Sequence, residues 1–375
     1  MKILITGADG FIGKNFKLRL SEQPQHEIRL FTRNNSAKNI DELLDEVDFV
    51  FHFAGVNRPE NPNDFITNNV DLTKNLCNAI KSQIDKTGKQ ISLVLTSSIQ
   101  SIKDTPYGKS KLAAEQFVLA LAEDHRVKTY IYRLPNIFGK WCRPNYNSVV
   151  ATFCHNIARD IPIQIDNPSA LISLVYVEDL IDSFIRLIDN NFAECDSSDT
   201  LIVRPEYRIS VDELAILIHK FKNSRHTLIL EQVGTGLMRA LYSTYISYLP
   251  TESFKYSIPS YKDSRGSFIE MIKTQESGQI SFFSAHPGVT RGSHYHNSKT
   301  EKFLVAKGKA SFQFKNLATG ENFALETSED NPEVVETIPG WAHSITNVGS
   351  DEMIVILWAN EILNKNKPDT YQYVI

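Results

Sequence analysis

The chain has 375 residues, of which 42% are hydrophobic and 22% charged, so it is long enough for two globular domains and too apolar to be disordered. Its net charge of −4, from 40 basic and 44 acidic residues, argues against nucleic acid as a partner. The sequence has no signal-peptide pattern, no apolar run of membrane-spanning length and no C-x-x-C pair among its 4 cysteines, so we expect a cytoplasmic protein without a membrane partner.

The first half of the sequence, from Met1 to about Phe192, alternates short apolar runs with longer stretches of helical period, which is the pattern of βαβ units. The short runs do not alternate with polar residues, so we expect parallel strands that helices cover on both faces. One longer stretch, 111–121, has apolar residues at helical spacing. This half therefore predicts a Rossmann-like, doubly wound α/β domain. The predicted strands are Lys2–Thr6, Glu27–Phe31, Asp48–Phe53, Ser92–Thr96 and Lys128–Arg133.

A glycine-rich turn follows the first predicted strand, where Gly7, Gly10 and Gly13 lead into a predicted helix. Glycines at such a turn let backbone N–H groups approach a pyrophosphate, whose charge then lies at the helix N-terminus. The turn therefore indicates a dinucleotide site. Arg33 stands at the end of the second strand, where an NAD site would have an acidic residue for the ribose. Arginine suits the 2′-phosphate of NADP, and an exposed surface arginine is the alternative.

Tyr107 and Lys111 stand four residues apart at the start of a predicted helix, so they lie on one helix face. A tyrosine is a poor acid or base near pH 7, because its ordinary pKa is about 10. A lysine one turn away would favour the phenolate and lower that pKa. The pair therefore indicates acid–base catalysis, and two solvated side chains on a helix face are the alternative.

Six motifs follow one another in this half, namely the turn at 6–13, the stretch 51–55 after the fourth strand, Ser97-Ser98, the Tyr107/Lys111 pair, 133–139 and 176–179. In this order they resemble the motifs of extended short-chain dehydrogenase/reductases that act on nucleotide sugars. The resemblance implies that Tyr107 donates a proton and Lys111 binds the nicotinamide ribose. It also implies that Ser98, at the end of the fifth strand, hydrogen-bonds the substrate carbonyl. The spacing to Tyr107 is short for the family, so Ser97 or Thr105 is the alternative in that role.

The same resemblance implies residues that bind a cofactor and a substrate. The stretch after Ser98 lacks the acidic pair of the family's dehydratases, which favours plain ketone reduction and therefore NADPH as a consumed reductant. The implied cofactor-binding residues are Gly7, Gly10, Phe11, Ile12, Gly13, Arg33, Ala54, Gly55, Tyr107 and Lys111. The residues implied to hold the sugar nucleotide are Asn136, Lys140, Arg143 and Asn147.

After about Ser257 the sequence changes to short strands separated by turn residues, and no helix longer than two turns fits between them. These features predict an all-β barrel or sandwich. Pro250 and Pro259 interrupt the preceding stretch, so we place the boundary near Leu249, between a domain at 1–248 and one at 249–375. The predicted strands are Ser267–Ile272, Ile280–Phe283, Lys302–Val305, Ala310–Phe314, Glu333–Ile338 and Met353–Trp358.

The all-β half carries three histidines and a glutamate in a pattern typical of metal sites. Two of the histidines stand two apart on a predicted strand and so share a face, and the other two groups arrive from neighbouring strands. The spacing G-x5-H-x-H-x4-E-x6-G over 288–308 resembles the first motif of the cupins, and 339–347 resembles the second. We therefore expect a cupin jelly roll with a divalent metal, zinc by preference, although Mn, Fe, Co or Ni suits the same ligands. The predicted ligands are His294, His296, Glu301 and His343.

Two stretches of this half, 263–270 and 288–295, resemble the sugar-nucleotide 3,5-epimerase branch of the cupins. In that branch the first histidine of the pair is the catalytic base and no metal is needed, whereas this chain has a full ligand set. Epimerisation beside a ketone needs a base for the α-proton and an electrophile for the enolate, and a metal can be the electrophile. Lys302 is the predicted electrophile or base, with His286 and Tyr295 as alternatives.

An extended reductase joined to an epimerase-like cupin resembles the CapF-type bifunctional enzymes of capsular polysaccharide synthesis, with a similar junction at 241–250. That family implies a UDP-2-acetamido-2,6-dideoxy-hexos-4-ulose that is epimerised at C3 in the cupin domain and then reduced at C4 with NADPH. The implied product is UDP-2-acetamido-2,6-dideoxy-L-talose, and we expect a homodimer formed through the cupin domain. Two alternatives are a reductase whose cupin is only a structural or dimerisation module, and an NADP-sensing regulator, although such regulators usually lose the tyrosine kept here as Tyr107.

Overall fold

The computed structural model describes residues 1–32, 40–125, 127–189, 200–263, 266–269, 271–272, 278–361 and 366–375. They form two compact units. The first unit contains Met1–Ile137 and Ser173–Tyr207, and the second contains Phe138–Ile172 and Arg208–Ile375. The boundary predicted near Leu249 does not coincide with this division, because 208–248 lies in the second unit. Where one catalytic domain ends and the other begins therefore stays a prediction.

The first unit is built on a parallel sheet of five strands in the order β2-β1-β3-β4-β5. The five apolar runs in the sequence lie at these strands, which confirms the doubly wound α/β prediction. The motifs predicted after the fourth and fifth strands follow the third and fourth, because the chain forms only three strands before Ser92 within its described residues. The strands are β1 (Lys2–Thr6), β2 (Glu27–Phe31), β3 (Phe49–His52), β4 (Ser92–Ser98) and β5 (Thr129–Leu134).

Helices cover both faces of this sheet. On one face Leu76 and Val118 pack with strand residues in an aliphatic core, and on the other Phe16, Phe51 and Phe184 form an aromatic cluster. Within the described residues no helix is both long enough and apolar enough to span a bilayer. The α-helices of the chain are α1 (Phe11–Ser21), α2 (Ile40–Leu43), α3 (Leu72–Thr87), α4 (Pro106–His125), α5 (Val149–Ala158), α6 (Val177–Ile188), α7 (Val211–Thr227) and α8 (Gly236–Ser247).

Shorter elements connect these helices and strands. A π-helical stretch, Ile66–Asp71, leads into α3, and short 3₁₀ helices span Ile99–Ile102 and Thr251–Ser253. A small sheet has the order β6-β7-β8, with the strands β6 (Asn136–Phe138), β7 (Leu171–Tyr176) and β8 (Tyr207–Ser210). A capping box between Ser210 and Glu213 starts α7.

The chain after Ser253 forms two antiparallel sheets of five strands each, in the orders β12-β19-β14-β17-β9 and β16-β15-β18-β13-β20, and a two-stranded antiparallel sheet, β10-β11. These sheets confirm the all-β prediction. Rings from both sheets meet in the core, where Phe303 contacts Phe312 at 5.8 Å between centroids. The strands are β9 (Lys255–Ser257), β10 (Ser260–Asp263), β11 (Gly266–Ile269), β12 (Gln279–Ala285), β13 (Thr290–Tyr295), β14 (Glu301–Lys307), β15 (Lys309–Asn316), β16 (Asn322–Ser328), β17 (Glu333–Glu336), β18 (Trp341–Asn347), β19 (Met353–Ala359) and β20 (Tyr371–Gln372).

Candidate active site and metal centre

The glycine-rich turn joins β1 to α1 with no room for side chains. Gly7 has a φ of +69°, and a Cβ there would lie 2.6 Å from the backbone nitrogen of Ala54. A Cβ on Gly13 would lie 2.3 Å from the carbonyl oxygen of Gly7, so the first turn of α1 packs directly on the turn before it. Glycine is therefore required at both positions. Their close packing brings the N-terminus of α1 to the carboxyl end of the sheet.

The start of α1 offers the N–H groups that an anion needs. Gly10 precedes the helix, and its own N–H donates to the carbonyl of Gly7 at 2.9 Å. Phe11 and Ile12 are the first residues of α1, where N–H groups have no acceptor within the helix. A pyrophosphate at this point would meet both these groups and the positive end of the helix dipole. Arg33, predicted to bind a 2′-phosphate, lies outside the described residues.

Gly55 lets the chain pass close to Lys111. A Cβ on Gly55 would lie 2.9 Å from Asn69 Oδ1 and 3.4 Å from Lys111 Nζ. Asn69 lies in the π-helical stretch, accepts from the N–H of Val56 at 2.7 Å and donates to Ser110 Oγ at 2.9 Å. It therefore ties the loop after β3 to helix α4. Sequence reasoning missed Asn69, because a single asparagine before a helix has no distinguishing pattern.

A buried histidine holds the same loop in place. Thr73 Oγ1 donates to the carbonyl of Asn69 at 2.6 Å, so it accepts from His52 Nε2 at 2.9 Å. His52 Nδ1 is then the acceptor, and Thr6 Oγ1 donates to it at 2.6 Å while accepting from the N–H of Ala54 at 3.3 Å. Burial, and then the charge of Lys111, lower the pKa of His52 to about 3, so the ring is neutral. One tautomer thus links β1, β3 and α3.

Tyr107 lies in the first turn of α4, and its side chain forms a hydrogen bond with Ser98 at the end of β4. Ser98 Oγ also accepts from the N–H of Gln100 at 3.1 Å, which fixes its position. Burial raises the pKa of Tyr107, and the Ser98 hydrogen bond opposes that rise. We expected Lys111 to lower this pKa, but burial dominates. The phenol therefore stays protonated near neutral pH, which is the form that donates a proton.

The other two candidates for the third catalytic group have different partners. Ser97 donates to the carboxylate of the buried Glu115. Thr105 Oγ1 accepts from a backbone N–H in the first turn of α4 at 3.0 Å, as a helix cap does. Of the three hydroxyl groups, the structure brings that of Ser98 to Tyr107.

Lys111 lies on the same helix face as Tyr107, one turn further along. Its ammonium group donates to the carbonyl of Thr96 at 3.1 Å. Burial lowers the pKa of Lys111 to about 8, and the charge of Glu115 opposes this. Glu115 itself is held ionised by Arg133, with which it forms an ion pair at 2.6 Å. Sequence reasoning missed Glu115, although it stands one further helical turn from the Tyr107/Lys111 pair.

The residues predicted to hold the sugar nucleotide fall in both units. In the first, the Asn136 amide donates to the carbonyl of Ser173 at 3.1 Å. In the second, Arg143 and Asn147 are exposed, and the Arg143 guanidinium lies 4.9 Å from the ring centre of Tyr146. Both second-unit side chains are therefore available to a ligand.

Lys140 differs from these, since only 2% of its surface is exposed. Its ammonium group lies 5.1 Å from the ring centre of Trp141, which has an unusual φ of +67°. A Cβ on Gly340 would lie 2.7 Å from Trp141 Cζ2 and 3.1 Å from Lys140 Cδ. The structure therefore packs Lys140 against the turn before β18.

The four predicted metal ligands lie together. Their donor atoms are all within 4.8 Å of one another, and His294 pairs with His343 across β13 and β18. His296 follows the end of β13, and Glu301 is the first residue of β14. All of the group except His294 is buried. The ligands His294, His296, Glu301 and His343 therefore converge from three strands, as the sequence spacing predicts.

The nitrogens in this group fit a metal. His294 Nδ1 donates to the carbonyl of Gly292 at 2.9 Å, which leaves Nε2 as a lone-pair donor, and this buried atom has no hydrogen-bond partner among the described residues. His343 Nε2 lies 3.6 Å from Glu301 Oε2, beyond hydrogen-bond length. Burial and the neighbouring histidines lower the pKa of His294 to about 3, so the ring is neutral, as metal binding requires. Three imidazoles and a carboxylate suit zinc and similar divalent ions.

Lys302 does not join this group. It follows Glu301 on β14, and neighbours on a strand face opposite sides of the sheet. Its ammonium group forms a buried ion pair with Glu336 and donates to Tyr256 Oη at 3.2 Å, while Arg225 of α7 lies 3.4 Å from Glu336 Oε2. Burial lowers the pKa of Lys302, but the charge of Glu336 outweighs it and the pKa is raised. The ammonium group of Lys302 is buried, it is paired with the carboxylate of Glu336, and it keeps its proton. It therefore does not fit the predicted role as electrophile or base at the metal.

The alternatives to Lys302 are not brought to the group either. His286 is exposed in the turn after β12. Tyr295 faces the opposite side from His294 and stacks on Tyr371, with ring centres 5.4 Å apart. The basic side chain beside the predicted ligands is instead that of Lys299, whose Nζ lies 2.6 Å from Glu301 Oε1. Sequence reasoning missed it, because a lysine in a short loop is an ordinary surface residue.

The sequence matches two family models. Residues 3–198 match the NAD dependent epimerase/dehydratase family, and residues 261–371 match the polysaccharide biosynthesis C-terminal domain. The first match implies a nicotinamide cofactor, in agreement with the glycine-rich turn and the Tyr107/Lys111 pair.

Full-length relatives share both parts. UDP-2-acetamido-2,6-beta-L-arabino-hexul-4-ose reductase of Pseudomonas aeruginosa is 54% identical over 371 residues, which cover 99% of this chain and 98% of the relative. The crystal structure of the capsular polysaccharide assembling protein CapF from Staphylococcus aureus has a TM-score of 0.67 at 38% identity, with 100% of both chains covered. CapF with the inhibitor 3-isopropenyl-tropolone has a TM-score of 0.63 at 35% identity, also over 100% of both chains. The chain therefore belongs to the CapF-type family, in which an epimerase/dehydratase-family domain is followed by a polysaccharide biosynthesis C-terminal domain.

Proposed function

We propose that this chain is a bifunctional sugar-nucleotide enzyme. Its cupin part epimerises C3 of a UDP-2-acetamido-2,6-dideoxy-hexos-4-ulose, and its reductase part reduces the C4 ketone with NADPH to UDP-2-acetamido-2,6-dideoxy-L-talose. The observation that carries the proposal is that one chain holds both a Ser98–Tyr107–Lys111 arrangement and a convergent group of three imidazoles and a carboxylate. The name of the Pseudomonas relative, a 4-ulose reductase of the same sugar class, supports it.

In the reduction, the residues of the first unit manage the proton and the orientation of the carbonyl. A bound nicotinamide supplies the hydride to C4. Tyr107 donates its phenolic proton to the carbonyl oxygen, and Ser98 hydrogen-bonds the same oxygen while holding the phenol in position. Lys111 binds the nicotinamide ribose through its ammonium group. The peptide N–H groups at the start of α1 hold the pyrophosphate, and Arg33 is proposed to bind the 2′-phosphate that distinguishes NADPH.

In the epimerisation, the ligand group of the second unit holds one divalent ion, which we propose is zinc. Such an ion polarises the C4 carbonyl and so makes the C3 proton more acidic. The inhibitor of the CapF relative supports this, because tropolones carry adjacent ketone and hydroxyl oxygens that chelate divalent ions. The 4-ketone activates C3 in the first step and is consumed in the second, so both sites can act on one intermediate. Arg143 and Asn147 are proposed to contact the nucleotide.

We also propose a cytoplasmic homodimer formed through the cupin part. Among the described strands β12 lies at the edge of its sheet, and its Ile280 and Phe282 are 60% and 75% exposed. An apolar edge of this kind supports pairing with a second copy. The thiols of Cys77, Cys142 and Cys154 are free, which supports a reducing compartment.

The test is to incubate the full-length protein with the 4-keto sugar nucleotide in D₂O, with and without NADPH. We expect deuterium at C3 without NADPH, and with NADPH a C4 alcohol that carries the same label. Intact C4 reduction without any C3 label would contradict the bifunctional proposal. It would leave a reductase with a structural cupin.

The C4 reduction should depend on the charge of Lys111. Because the pKa of Lys111 is lowered to about 8, we expect kcat/KM for the ketone to fall as the pH rises through about 8, when the amine becomes neutral. The pKa of Tyr107 is raised, so the phenol keeps its proton over the same range. NADPH consumption measured against pH checks this. In Lys111→Met this fall of kcat/KM near pH 8 should be absent. A wild-type pH profile that stays flat well above this pH would contradict the dependence on the charge of Lys111.

A further inference from the structure

The loop between the second and third metal ligands has all its backbone N–H groups bound by side chains from elsewhere in the second unit. The N–H groups of residues 297, 298 and 299 donate to the carboxylate of Asp369 at 2.9, 2.7 and 2.8 Å. The next two, those of Thr300 and Glu301, donate to Asn360 Oδ1 and Thr337 Oγ1, both at 2.9 Å. Side chains of Asp369, Asn360 and Thr337, which lie outside the loop, therefore hold the backbone between His296 and Glu301 in place.

Asp369 makes most of these contacts and also reaches a ligand directly. Its Oδ2 accepts a further hydrogen bond from Ser298 Oγ at 3.0 Å. Its backbone carbonyl accepts from His296 Nδ1, which leaves His296 Nε2 turned toward Glu301 Oε2 at 3.1 Å. A carbonyl acceptor on one ring nitrogen sets the tautomer whose other nitrogen binds a metal.

The segment that carries Asp369 is anchored to the strand of the first ligand. β20 pairs with β13, with Gln372 opposite His294, and the N–H of Tyr373 donates to the carbonyl of Ser293 at 2.8 Å. Residues 369–373 therefore contact the strand or loop on both sides of the His294/His296 pair. No sequence pattern near residue 369 indicates such a role.

We propose that Asp369 is a positioning residue of the metal centre. Its carboxylate fixes the separation of His296 and Glu301 by holding the loop between them, and its carbonyl fixes the His296 tautomer. This inference rests on the proposed metal, and it adds the segment 369–373 to the site. A carboxylate is needed at this position because three N–H groups and a hydroxyl donate to it, whereas the amide of an asparagine has only one oxygen and its NH₂ repels such donors.

The experiment compares metal-free full-length wild-type protein, Asp369→Asn and Asp330→Asn, the last an exposed carboxylate that serves as the matched control. Co²⁺ is the probe, because its visible d–d absorption reports both occupancy and coordination geometry. We expect Asp369→Asn to bind Co²⁺ about 10- to 100-fold more weakly, the range typical of lost outer-shell partners, with an altered spectrum. Asp330→Asn should match the wild type. NADPH binding reports the folding of the first unit of each variant, and a cooperative melting transition of the metal-free protein reports that of the second.

The outcomes separate the two proposals. A lower melting temperature of metal-free Asp369→Asn with an unchanged Co²⁺ affinity and spectrum would assign Asp369 a merely structural role and overturn the inference. Asp369→Glu, which keeps the charge but moves it by one methylene, should shift affinity in the same direction, and it replaces Asp369→Asn if that variant does not fold. Wild-type protein that binds no Co²⁺ would instead overturn the proposed metal centre itself.

Discussion

Tyr107→Phe should lower C4 reduction by about 10² to 10⁴-fold, because the phenol is the group that protonates the carbonyl oxygen. The ring stays in place at the start of α4, so folding and NADPH binding should be retained. Exchange of the C3 hydrogen should continue at the wild-type rate, because the ligand group at His294 to His343 is unchanged. NADPH consumption and deuterium at C3, measured on one sample in D₂O, check both parts.

Tyr130→Phe is the matched control, since Tyr130 lies on β5 and stacks on Phe49 rather than on the candidate site. It should reduce the ketone at the wild-type rate. Reduction by Tyr107→Phe within a few-fold of wild type would assign the proton to another group, and Ser98 would be the first to examine.

His343→Ala should reduce C3 exchange by about 10² to 10³-fold, the loss expected when stabilisation of a developing oxyanion is removed. It takes one of three imidazoles from a buried site, so the bound divalent ion should fall well below one per chain by elemental analysis. Ketone that already has the epimerised C3 configuration should still be reduced by NADPH. Removing the ion from wild-type protein with a chelator should give the same pattern, and adding it back should restore exchange.

His286→Ala is the control for this variant, because His286 is an exposed histidine of the same unit outside the ligand group. It should keep both its metal and its C3 exchange. A His343→Ala protein that is free of metal but still exchanges C3 at the wild-type rate would remove the metal from the proposed mechanism.

The strands of the parallel sheet could be predicted from the sequence, whereas several strands of the all-β half were missed. A strand buried on both faces needs an apolar run, which is why Lys2–Thr6 could be predicted to the residue. Glu27–Phe31 was also predicted to the residue, although only Phe31 of this edge strand is buried. Asn322–Ser328 was missed, because its alternation of exposed and buried positions is weak in the sequence. The convergence of His294, His296, Glu301 and His343 could be expected because the cupin motif spaces three of them within eight residues of one another, and that they bind a metal stays a prediction.

The error on Lys302 came from applying a motif without the geometry of the strand. Glu301 and Lys302 are neighbours on β14, and side chains on a strand alternate between faces. If Glu301 points to the histidines, Lys302 cannot do so. Asp369 was missed for another reason: it lies 73 residues from His296 along the chain, and only the fold brings them together.

Lys302, Glu336 and Arg225 form a buried ion network on the face of β14 opposite to Glu301. This network limits where the chain can be divided. A cut at the predicted boundary near Leu249 would separate Arg225 from Glu336, and it would remove Tyr242, which hydrogen-bonds Lys302. Breaking a buried ion pair costs about 3–5 kcal/mol, because one charge is left without a partner. A chimaera that exchanges the metal-binding half between relatives should therefore carry helices α7 and α8 with the barrel. The interchangeable module is larger than the jelly roll alone.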